Sequence, residues 1–233
     1  MTDALSYVEV GADVESSDST VIWLHGLGAD GHDFAPVARI LASPGRRFIL
    51  PHAPSMPVTI NGGVSMPAWY DILSMDPGAR DSPRESANDV KNSAILVNKL
   101  IKHEIDNGIP GERIVIAGFS QGGALALHLS LRSEINLAGV IALSCYLPVR
   151  ERFESELINK KTPIFQAHGR FDVVVPYYSG LYTHELLTSH SIEVDWNEYQ
   201  MGHEVSHQEI SDIEEWLNSV IPPLSDDYTD TIA

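Results

Sequence analysis

The chain of 233 residues carries 15 basic and 32 acidic side chains, which give a formal net charge of −17 at pH 7. This charge repels phosphate backbones and anionic membrane surfaces, so we expect no nucleic-acid partner. Hydrophobic residues make up 43% of the chain, as in folded domains, and the single cysteine cannot form an internal disulfide.

The N-terminal sequence and the apolar stretches indicate in which cellular compartment the protein is expected. Residues 1–7 have neither the basic region nor the apolar core of a signal peptide. The longest largely apolar stretch, residues 137–149, is too short to span a bilayer. A lone cysteine also suits a reducing compartment. These features predict a cytoplasmic protein without stable membrane insertion.

Strand-like and helix-like patterns alternate along the chain. The predicted strands are apolar or alternating runs at residues 20–25, 47–51, 113–118, 137–143, 163–168 and 192–199. The predicted helices cover residues 33–42, 82–107, the segment after Ser120, residues 176–190 and a final segment that carries Ile210, Ile213, Leu217 and Val220. A capping box, Ser82-Pro83-Arg84-Glu85, is predicted to open the second helix. We therefore expect one α/β domain over residues 1–221 with a mainly parallel central sheet and helices on both faces. The acidic residues 222–233 are predicted to be disordered.

Residues 52–83 form a long connection, rich in proline and glycine, that interrupts the alternation of predicted strands and helices. Long loops in compact domains are usually functional or disordered, and aromatic side chains argue against disorder. We expect a covering loop that lines an apolar pocket with Trp69, Ile72, Leu73 and Met75. The alternative is a packed excursion that only covers a sheet edge.

A strand, a sharp turn and an alanine- and leucine-rich helix meet at Gly118-Phe119-Ser120-Gln121-Gly122. This arrangement is typical of a nucleophile elbow, in which the turn projects the serine hydroxyl away from the sheet. Glycines on both sides allow the strand and the helix to approach closely. A five-residue motif such as G-x-S-x-G also occurs by chance. The alternative to a nucleophile is therefore a turn serine that caps the helix.

A serine nucleophile needs a base, and the base needs an acid to orient it. Asp172 follows the predicted strand at residues 163–168, and His203 follows the next strand, at residues 192–199. Both therefore lie at the carboxyl edge of the sheet, where open α/β sheets bind ligands. Histidine exchanges a proton near neutral pH, so the order Ser120, Asp172, His203 predicts a catalytic triad.

An oxyanion formed during acyl transfer needs backbone N–H donors. Gln121 is the first residue of the helix after Ser120, so its amide has no partner within the helix. The glycine-rich loop at residues 26–31 follows the first predicted strand, and Leu27 is the second predicted donor.

Two other motifs match literally. Residues 26–31 read G-x-G-x-x-G, as in dinucleotide-binding oxidoreductases, but the second strand ends Pro51-His52 without the expected acidic residue. Residues 203–207 read H-E-x-x-H, as in zinc proteases, but a capping box from Ser206 to Glu209 predicts that the helix starts after His203. Both functions are therefore disfavoured.

Six segments together resemble one family: residues 24–28 (LHGLG), 51–54 (PHAP), 118–124 (GFSQGGA), 143–148 (LSCYLP), 168–172 (HGRFD) and 202–203 (GH). They are similar to the acyl-protein thioesterase and small carboxylesterase family of α/β-hydrolases, over about residues 20–221. The resemblance implies the α/β-hydrolase fold, the triad and the two oxyanion donors. It also implies an acyl-chain groove under the loop near residues 69–75 and around Tyr146 and Leu147. The family often has tryptophan where Tyr146 stands.

These observations predict a serine hydrolase that cleaves carboxylic esters or thioesters with apolar acyl chains, without metal or organic cofactor. A lysophospholipase or lipase-like enzyme and a non-catalytic acyl-binding module are the alternatives. The expected partner is a small ester or thioester, with a lipidated protein or a lysophospholipid as further substrates, and the expected state is a monomer or weak homodimer. His25 and His168 are interpreted as structural histidines and Cys145 as a packing thiol.

Overall fold

The computed structural model describes residues 4–74 and 84–224. Met75, the Ser82-Pro83 dipeptide and residues 225–233 lie outside this part of the chain, and so do the predictions made for them. The strands are β1 (Tyr7–Gly11), β2 (Ser19–Leu24), β3 (Arg46–Pro51), β4 (Ser55–Val58), β5 (Val64–Pro67), β6 (Ile114–Phe119), β7 (Gly139–Leu143), β8 (Ile164–Gly169) and β9 (Val194–Tyr199). The α-helices are α1 (Ala35–Leu41), α2 (Ala87–Asp106), α3 (Gln121–Leu131), α4 (Phe153–Glu156), α5 (Tyr177–Ser189) and α6 (His207–Val220).

Seven strands form one sheet in the order β1-β3-β2-β6-β7-β8-β9. β1 pairs antiparallel with β3, and the other neighbours are parallel. The parallel strands β2, β6, β7 and β8 are almost continuously apolar and buried, because helices cover both faces of the sheet. The sheet and its helices form a single domain with the α/β architecture predicted from the sequence.

Two apolar clusters fill the space between the sheet and its helices. One cluster joins a sheet face to α2, α3 and α5, and the other joins the opposite face to α1 and α6. α3 is buried along its whole length, since it lies directly behind the central strands. Within the described residues, no helix combines the length and the apolar character needed to cross a membrane.

The start of α2 differs from the prediction. The N-cap is Ser86, whose Oγ accepts a hydrogen bond from the Asp89 amide, and the helix begins at Ala87. Glu85 instead forms an antiparallel β-bridge with Ile72. Beside this bridge, the Leu73 amide donates a hydrogen bond to the Arg84 carbonyl (2.8 Å). The helix therefore starts later than predicted, because tertiary pairing holds residues 84 and 85 out of it.

The connection that starts at residue 52 is described up to residue 74 and again from residue 84. β4 and β5 form a two-stranded antiparallel hairpin, which the sequence analysis did not predict, nor did it predict β1. After the hairpin, Trp69 and Tyr70 enter the core and are fully buried. This segment lies over the carboxyl edge of the sheet, since the Gly28 amide donates to the Pro67 carbonyl (2.9 Å).

Candidate active site

Ser120 occupies the turn between β6 and α3 in a conformation that L-residues rarely adopt, with φ 55° and ψ −119°. Such a backbone costs about 1–3 kcal/mol and persists only where the surroundings fix it. Here the Ser120 amide donates to the Leu143 carbonyl (2.8 Å), and the Ser120 carbonyl accepts from Ala124 (3.0 Å). The strained turn therefore holds the serine at the carboxyl edge of the sheet.

The two glycines of the turn permit the contact between strand and helix. A Cβ on Gly118 would overlap the carbonyl carbon of Gly122, and a Cβ on Gly122 would overlap the carbonyl oxygen of Leu24. β2, β6 and the first turn of α3 therefore pack backbone to backbone. This packing accounts for both glycines by sterics.

The structure brings Ser120, His203 and Asp172 into one line of hydrogen bonds. The Ser120 Oγ lies 3.0 Å from His203 Nε2, and His203 Nδ1 lies 2.7 Å from Asp172 Oδ2. A carboxylate only accepts, so Nδ1 donates and Nε2 is left to accept the hydroxyl proton of Ser120. The three residues follow β6, β8 and β9, which are separated in sequence and meet at one edge of the sheet.

Asp172 is buried but well supplied with donors. Its Oδ1 accepts from the amides of Val174 (2.9 Å) and Val175 (2.8 Å), while Oδ2 faces His203. Burial acts to raise the pKa of Asp172, but the hydrogen bond and charge of His203, with the two amides, lower it overall. The carboxylate is therefore ionised at neutral pH and oriented toward the imidazole.

Aromatic packing fixes the position of the His203 ring. Phe119, the residue before Ser120, stacks at a tilt on His203 with ring centroids 4.7 Å apart. Phe34 supports Phe119 from behind, at 5.7 Å. The imidazole therefore has one apolar neighbour that limits its rotation.

Gln121 follows Ser120 directly, and Leu27 follows Gly26 in the loop after β2. Within the described part of the chain, neither amide donates to another protein group. Gly26 brings the Leu27 loop close, since a Cβ on Gly26 would lie 3.6 Å from the Ser120 Cβ. Two free N–H groups beside a serine hydroxyl form a donor pair suited to an oxyanion.

A network of buried hydrogen bonds ties these segments together. The Gln121 side chain accepts from the Trp69 amide (2.8 Å) and donates to the Tyr70 carbonyl (2.7 Å). The Trp69 indole donates to the His25 carbonyl (2.9 Å). The nucleophile turn, the Leu27 loop and the segment after the β4–β5 hairpin are thereby fixed to one another. The sequence analysis missed this side-chain role of Gln121, because its partners are backbone groups some 50 residues away.

Two further buried histidines support the same edge. His25 donates from Nδ1 to the Gly26 carbonyl (2.7 Å) and accepts at Nε2 from the Ala53 amide (3.0 Å). His168 donates from Nε2 to the Val175 carbonyl (2.9 Å). Burial lowers the pKa of both, so they are neutral at pH 7. These contacts agree with a structural role for each.

The residues predicted to line an acyl groove do not lie together on an open surface. Trp69, Ile72 and Leu147 are buried in the core, and their assignment to an acyl-chain groove under the loop stays a prediction. They pack there because the loop folds inward against α2 and α3. Leu73 is exposed, and Tyr146 is half-buried with the Arg84 guanidinium 5.0 Å above its ring.

Exposed apolar side chains that the sequence analysis missed lie close to Asp172 in the chain, on the loop after β8 and in the first turn of α5. Phe171 and Val173 are 64% and 89% exposed, and Val174 and Tyr178 are also exposed. We call these four residues the acid-loop patch. A run of apolar residues on a loop between a strand and a helix was the available signal, since such a loop is normally polar.

The competing motifs have ordinary explanations. α1 begins at Ala35, four residues beyond the glycine-rich segment, and a Cβ on Gly31 would overlap the Leu50 carbonyl. His207 is exposed at the start of α6, whereas His203 faces Ser120, so the two histidines share no helical face. Cys145 is buried against Gly123, and burial raises the pKa of its thiol, as expected for a packing residue.

Comparisons with known proteins agree with this geometry. A sequence profile of the family described as Phospholipase/Carboxylesterase matches residues 5–221. Acyl-protein thioesterase 1 of Neurospora crassa is 43% identical over 219 residues, covering 89% of each chain. Acyl-protein thioesterase 1 of Gibberella zeae is 38% identical, covering 88% of this chain and 92% of that protein.

Solved structures share the fold. SOBER1 of Arabidopsis thaliana superposes with a TM-score of 0.81 at 30% identity, covering 87% of this chain and 99% of that one. Acyl-protein thioesterase 2 of Zea mays gives 0.80 at 25% identity, covering 93% and 99%. The chain therefore belongs to the phospholipase/carboxylesterase family and is a serine hydrolase with the α/β-hydrolase fold.

Proposed function

We propose that this enzyme hydrolyses esters and thioesters of apolar acyl chains, with Ser120 as nucleophile, His203 as base and Asp172 as the acid that orients it. The single observation that carries the proposal is the hydrogen-bonded line from Ser120 Oγ through His203 to Asp172. The strained serine backbone and the two free amides beside it support the same assignment.

In the first half-reaction, Ser120 Oγ attacks the carbonyl carbon while His203 Nε2 takes the hydroxyl proton. The carbonyl oxygen becomes an oxyanion that accepts from the Leu27 and Gln121 amides. The tetrahedral intermediate then collapses, the bond to the alcohol or thiol breaks, and His203 returns the proton to the leaving group. Asp172 stays ionised and stabilises the imidazolium that forms between these steps.

In the second half-reaction, water replaces the departed group. His203 removes a proton from the water, whose oxygen attacks the acyl-Ser120 carbonyl carbon. Collapse of the second intermediate breaks the bond to Ser120 Oγ, which takes the proton back from His203. This half-reaction releases the carboxylic acid and regenerates the enzyme, and the alcohol or thiol has already left in the first half-reaction. No step of the proposed mechanism requires a cofactor.

The acyl chain needs an apolar surface, and the acid-loop patch is an exposed apolar group close in the chain to Asp172. Val173 and Phe171 flank Asp172 directly and are largely exposed. Exposed apolar side chains in such a group are typical of binding surfaces. We infer that Phe171, Val173 and Val174 contact the acyl chain, and that the exposed Leu73 contributes to the same surface.

Thioesters carried by lipidated proteins are the substrate class that the relatives suggest, since two of them are named acyl-protein thioesterases. A thiol leaves more readily than an alcohol, because its pKa near ~8.5 makes the thiolate accessible. The same site therefore accommodates both ester and thioester chemistry. A lysophospholipid is the alternative substrate that retains the same triad.

Labelling with a fluorophosphonate tests the nucleophile. Ser120→Ala should abolish labelling and ester turnover, apart from a residual rate of roughly 10³–10⁴ over water. Ser144→Ala is the matched control, because Ser144 also has a positive φ but is fully buried, so the probe does not reach its hydroxyl. Persistent labelling of Ser120→Ala would overturn the assignment of the nucleophile. A wild type that is neither labelled nor active on esters would favour the acyl-binding alternative.

A chain-length series of p-nitrophenyl esters, run beside an acyl thioester and a lysophospholipid, tests the substrate class. Each methylene buried on the patch should raise kcat/KM by up to about fourfold, from about 0.8 kcal/mol per CH₂. Val173→Ser should flatten that dependence, whereas Ile158→Ser should not, since Ile158 lies beside Leu131 at the far end of α3. Faster hydrolysis of the lysophospholipid than of the thioester would favour the lysophospholipase alternative.

A further inference from the structure

A cluster of metal-ligand side chains lies at the carboxyl edge of the sheet, apart from the proposed catalytic residues. Asp30 and His32 belong to the loop after β2, and His52 follows β3 directly. One ligand atom from each lies within 4.8 Å of the other two. We propose that Asp30, His32 and His52 form a binding site for a divalent first-row transition ion, of which Zn²⁺ is the expected occupant.

The backbone already holds the two segments together. The Gly31 amide donates to His52 Nδ1 (3.1 Å), and Gly31 lies so close to the Leu50 carbonyl that a Cβ would overlap it. The His52 amide donates to the Ser6 carbonyl (2.9 Å). These contacts place the three side chains next to one another without an ion, and the close approach of Gly31 to the Leu50 carbonyl does not depend on the His52 ring.

The donor set selects the class of ion. Two imidazoles and one carboxylate suit Zn²⁺ and its neighbours, whereas Mg²⁺ and Ca²⁺ prefer oxygen ligands. The ligand atoms around a tetrahedral Zn²⁺ lie about 3.3 Å apart, given bonds of about 2.0–2.1 Å. Side-chain rotation must therefore close a gap of roughly 1.5 Å. The side chains of His32 and Asp30 are 71% and 53% exposed, so no packed neighbour blocks their rotation. The Asp30 Oδ1 accepts from the His32 amide (2.7 Å), so most of the movement falls to the His32 ring, and water would complete the coordination.

Few cationic side chains compete with a metal ion for the Asp30 carboxylate. Its ion-pair partner among the described residues is His32, at 3.0 Å, which is itself a proposed ligand. No described lysine or arginine pairs with this carboxylate. The negative net charge of the chain also raises the local concentration of cations.

Occupancy of the site has a consequence for the neighbouring loop. Coordination by His52 Nδ1 occupies the atom that accepts the Gly31 hydrogen bond, and coordination by Nε2 moves the ring hydrogen onto Nδ1. Either way the Gly31 amide loses its acceptor. The same loop carries the Leu27 amide, so Zn²⁺ should lower kcat; this step rests on the proposed function.

Calorimetric titration of the full-length enzyme with ZnCl₂, in a buffer without chelators, tests the site independently of activity. His32→Ala should weaken Zn²⁺ binding at least about tenfold. Asp30→Asn should also weaken it, while its amide oxygen still accepts the His32 N–H bond. His207→Ala is the matched control, an exposed histidine at the start of α6. Unchanged binding to His32→Ala and Asp30→Asn would overturn the site.

Zn²⁺ inhibition of ester hydrolysis tests the coupling to the loop. The wild-type enzyme should lose activity over the concentration range in which calorimetry shows binding, and His32→Ala should resist inhibition by about the same tenfold factor. MgCl₂ should inhibit neither protein. Equal Zn²⁺ inhibition of both proteins would assign the effect to another group, such as His203, and would overturn the coupling.

Discussion

The two edges of the central sheet bury polar groups for different purposes. At the amino edge, the Arg47 guanidinium pairs with Glu104 (2.6 Å) and Glu9 (2.9 Å), and Glu104 also accepts from the Thr20 hydroxyl (2.7 Å). At the carboxyl edge, Ser120 carries a strained backbone. The Leu27 amide beside it has no acceptor among the described residues.

The difference shows that polar groups at the amino edge stabilise the fold, whereas those at the carboxyl edge are available for the proposed reaction. Charged groups at the amino edge are neutralised within the folded protein, so removal of one partner leaves a buried charge. Donors at the carboxyl edge are left free, and their proposed acceptor is an oxyanion that exists only during the reaction. Substitutions at the two edges should therefore be distinguishable by experiment.

The largest effect is expected from Asp172→Asn at the carboxyl edge. The asparagine oxygen can still accept from Val174 and Val175, but its NH₂ group then faces His203 and forces the wrong tautomer. We expect kcat to fall by about 10⁴, with a much smaller change in unfolding free energy. Steady-state kinetics check this, with exposed Asp195→Asn as the control. A loss of less than tenfold would contradict the proposed role.

The opposite pattern is expected from Glu104→Ala at the amino edge. Arg47 and Thr20 lose a buried partner, which should cost about 3–5 kcal/mol of unfolding free energy while kcat of the folded enzyme is unchanged. Urea denaturation measures the loss, and Glu104→Gln serves if the alanine variant fails to fold. Asp106→Ala is the control, because its exposed pair with Lys102 contributes about 0–1 kcal/mol. Equal losses in Glu104→Ala and Asp106→Ala would refute the comparison.

An intermediate effect is expected from Trp69→Phe, which keeps an aromatic ring and removes the hydrogen bond to the His25 carbonyl. If this bond positions the Leu27 loop, kcat should fall about tenfold, equivalent to about 1.4 kcal/mol, with KM nearly unchanged. Trp23→Phe is the matched control, since the buried Trp23 indole has no hydrogen-bond partner in the described structure. Similar kinetics for both variants would show that the bond does not act on the site.

The smallest effect concerns Glu209, which caps α6 after the His203 loop and is fully buried. Burial raises its pKa to about 8, above its ordinary value near 4.5. The folded state therefore holds its proton more tightly, and the stability that this contributes is lost as pH rises from about 4.5 to about 8.

Glu209→Gln removes this titration because glutamine stays neutral. The unfolding free energy of the wild type should fall relative to that of Glu209→Gln by about 1 kcal/mol between pH 6 and pH 7. Urea denaturation of both proteins at the two pH values measures the difference, since the other groups cancel. A difference that does not grow with pH would contradict the raised pKa.

Local patterns were sufficient to predict most elements. The strands β2, β3, β6, β7, β8 and β9 and the helices α1, α3, α5 and α6 were anticipated from apolar runs and helical periodicity. β1 and the β4–β5 hairpin were missed, because β1 is half-exposed and irregular and the hairpin lies in a segment of proline and glycine. The start of α2 was misplaced because pairing between residues 72 and 85 is nonlocal.

By itself, the sequence determined the alternation of strands and helices, the glycines around Ser120 and the placement of Asp172 and His203 after strands. These depend on periodicity, steric size and chain order, which are local properties. Tertiary structure alone decided that Trp69 lies in the core, that Gln121 binds a distant backbone, and which apolar side chains remain exposed beside Asp172. Those outcomes depend on how a long loop packs against helices, and no local pattern encodes that competition for burial.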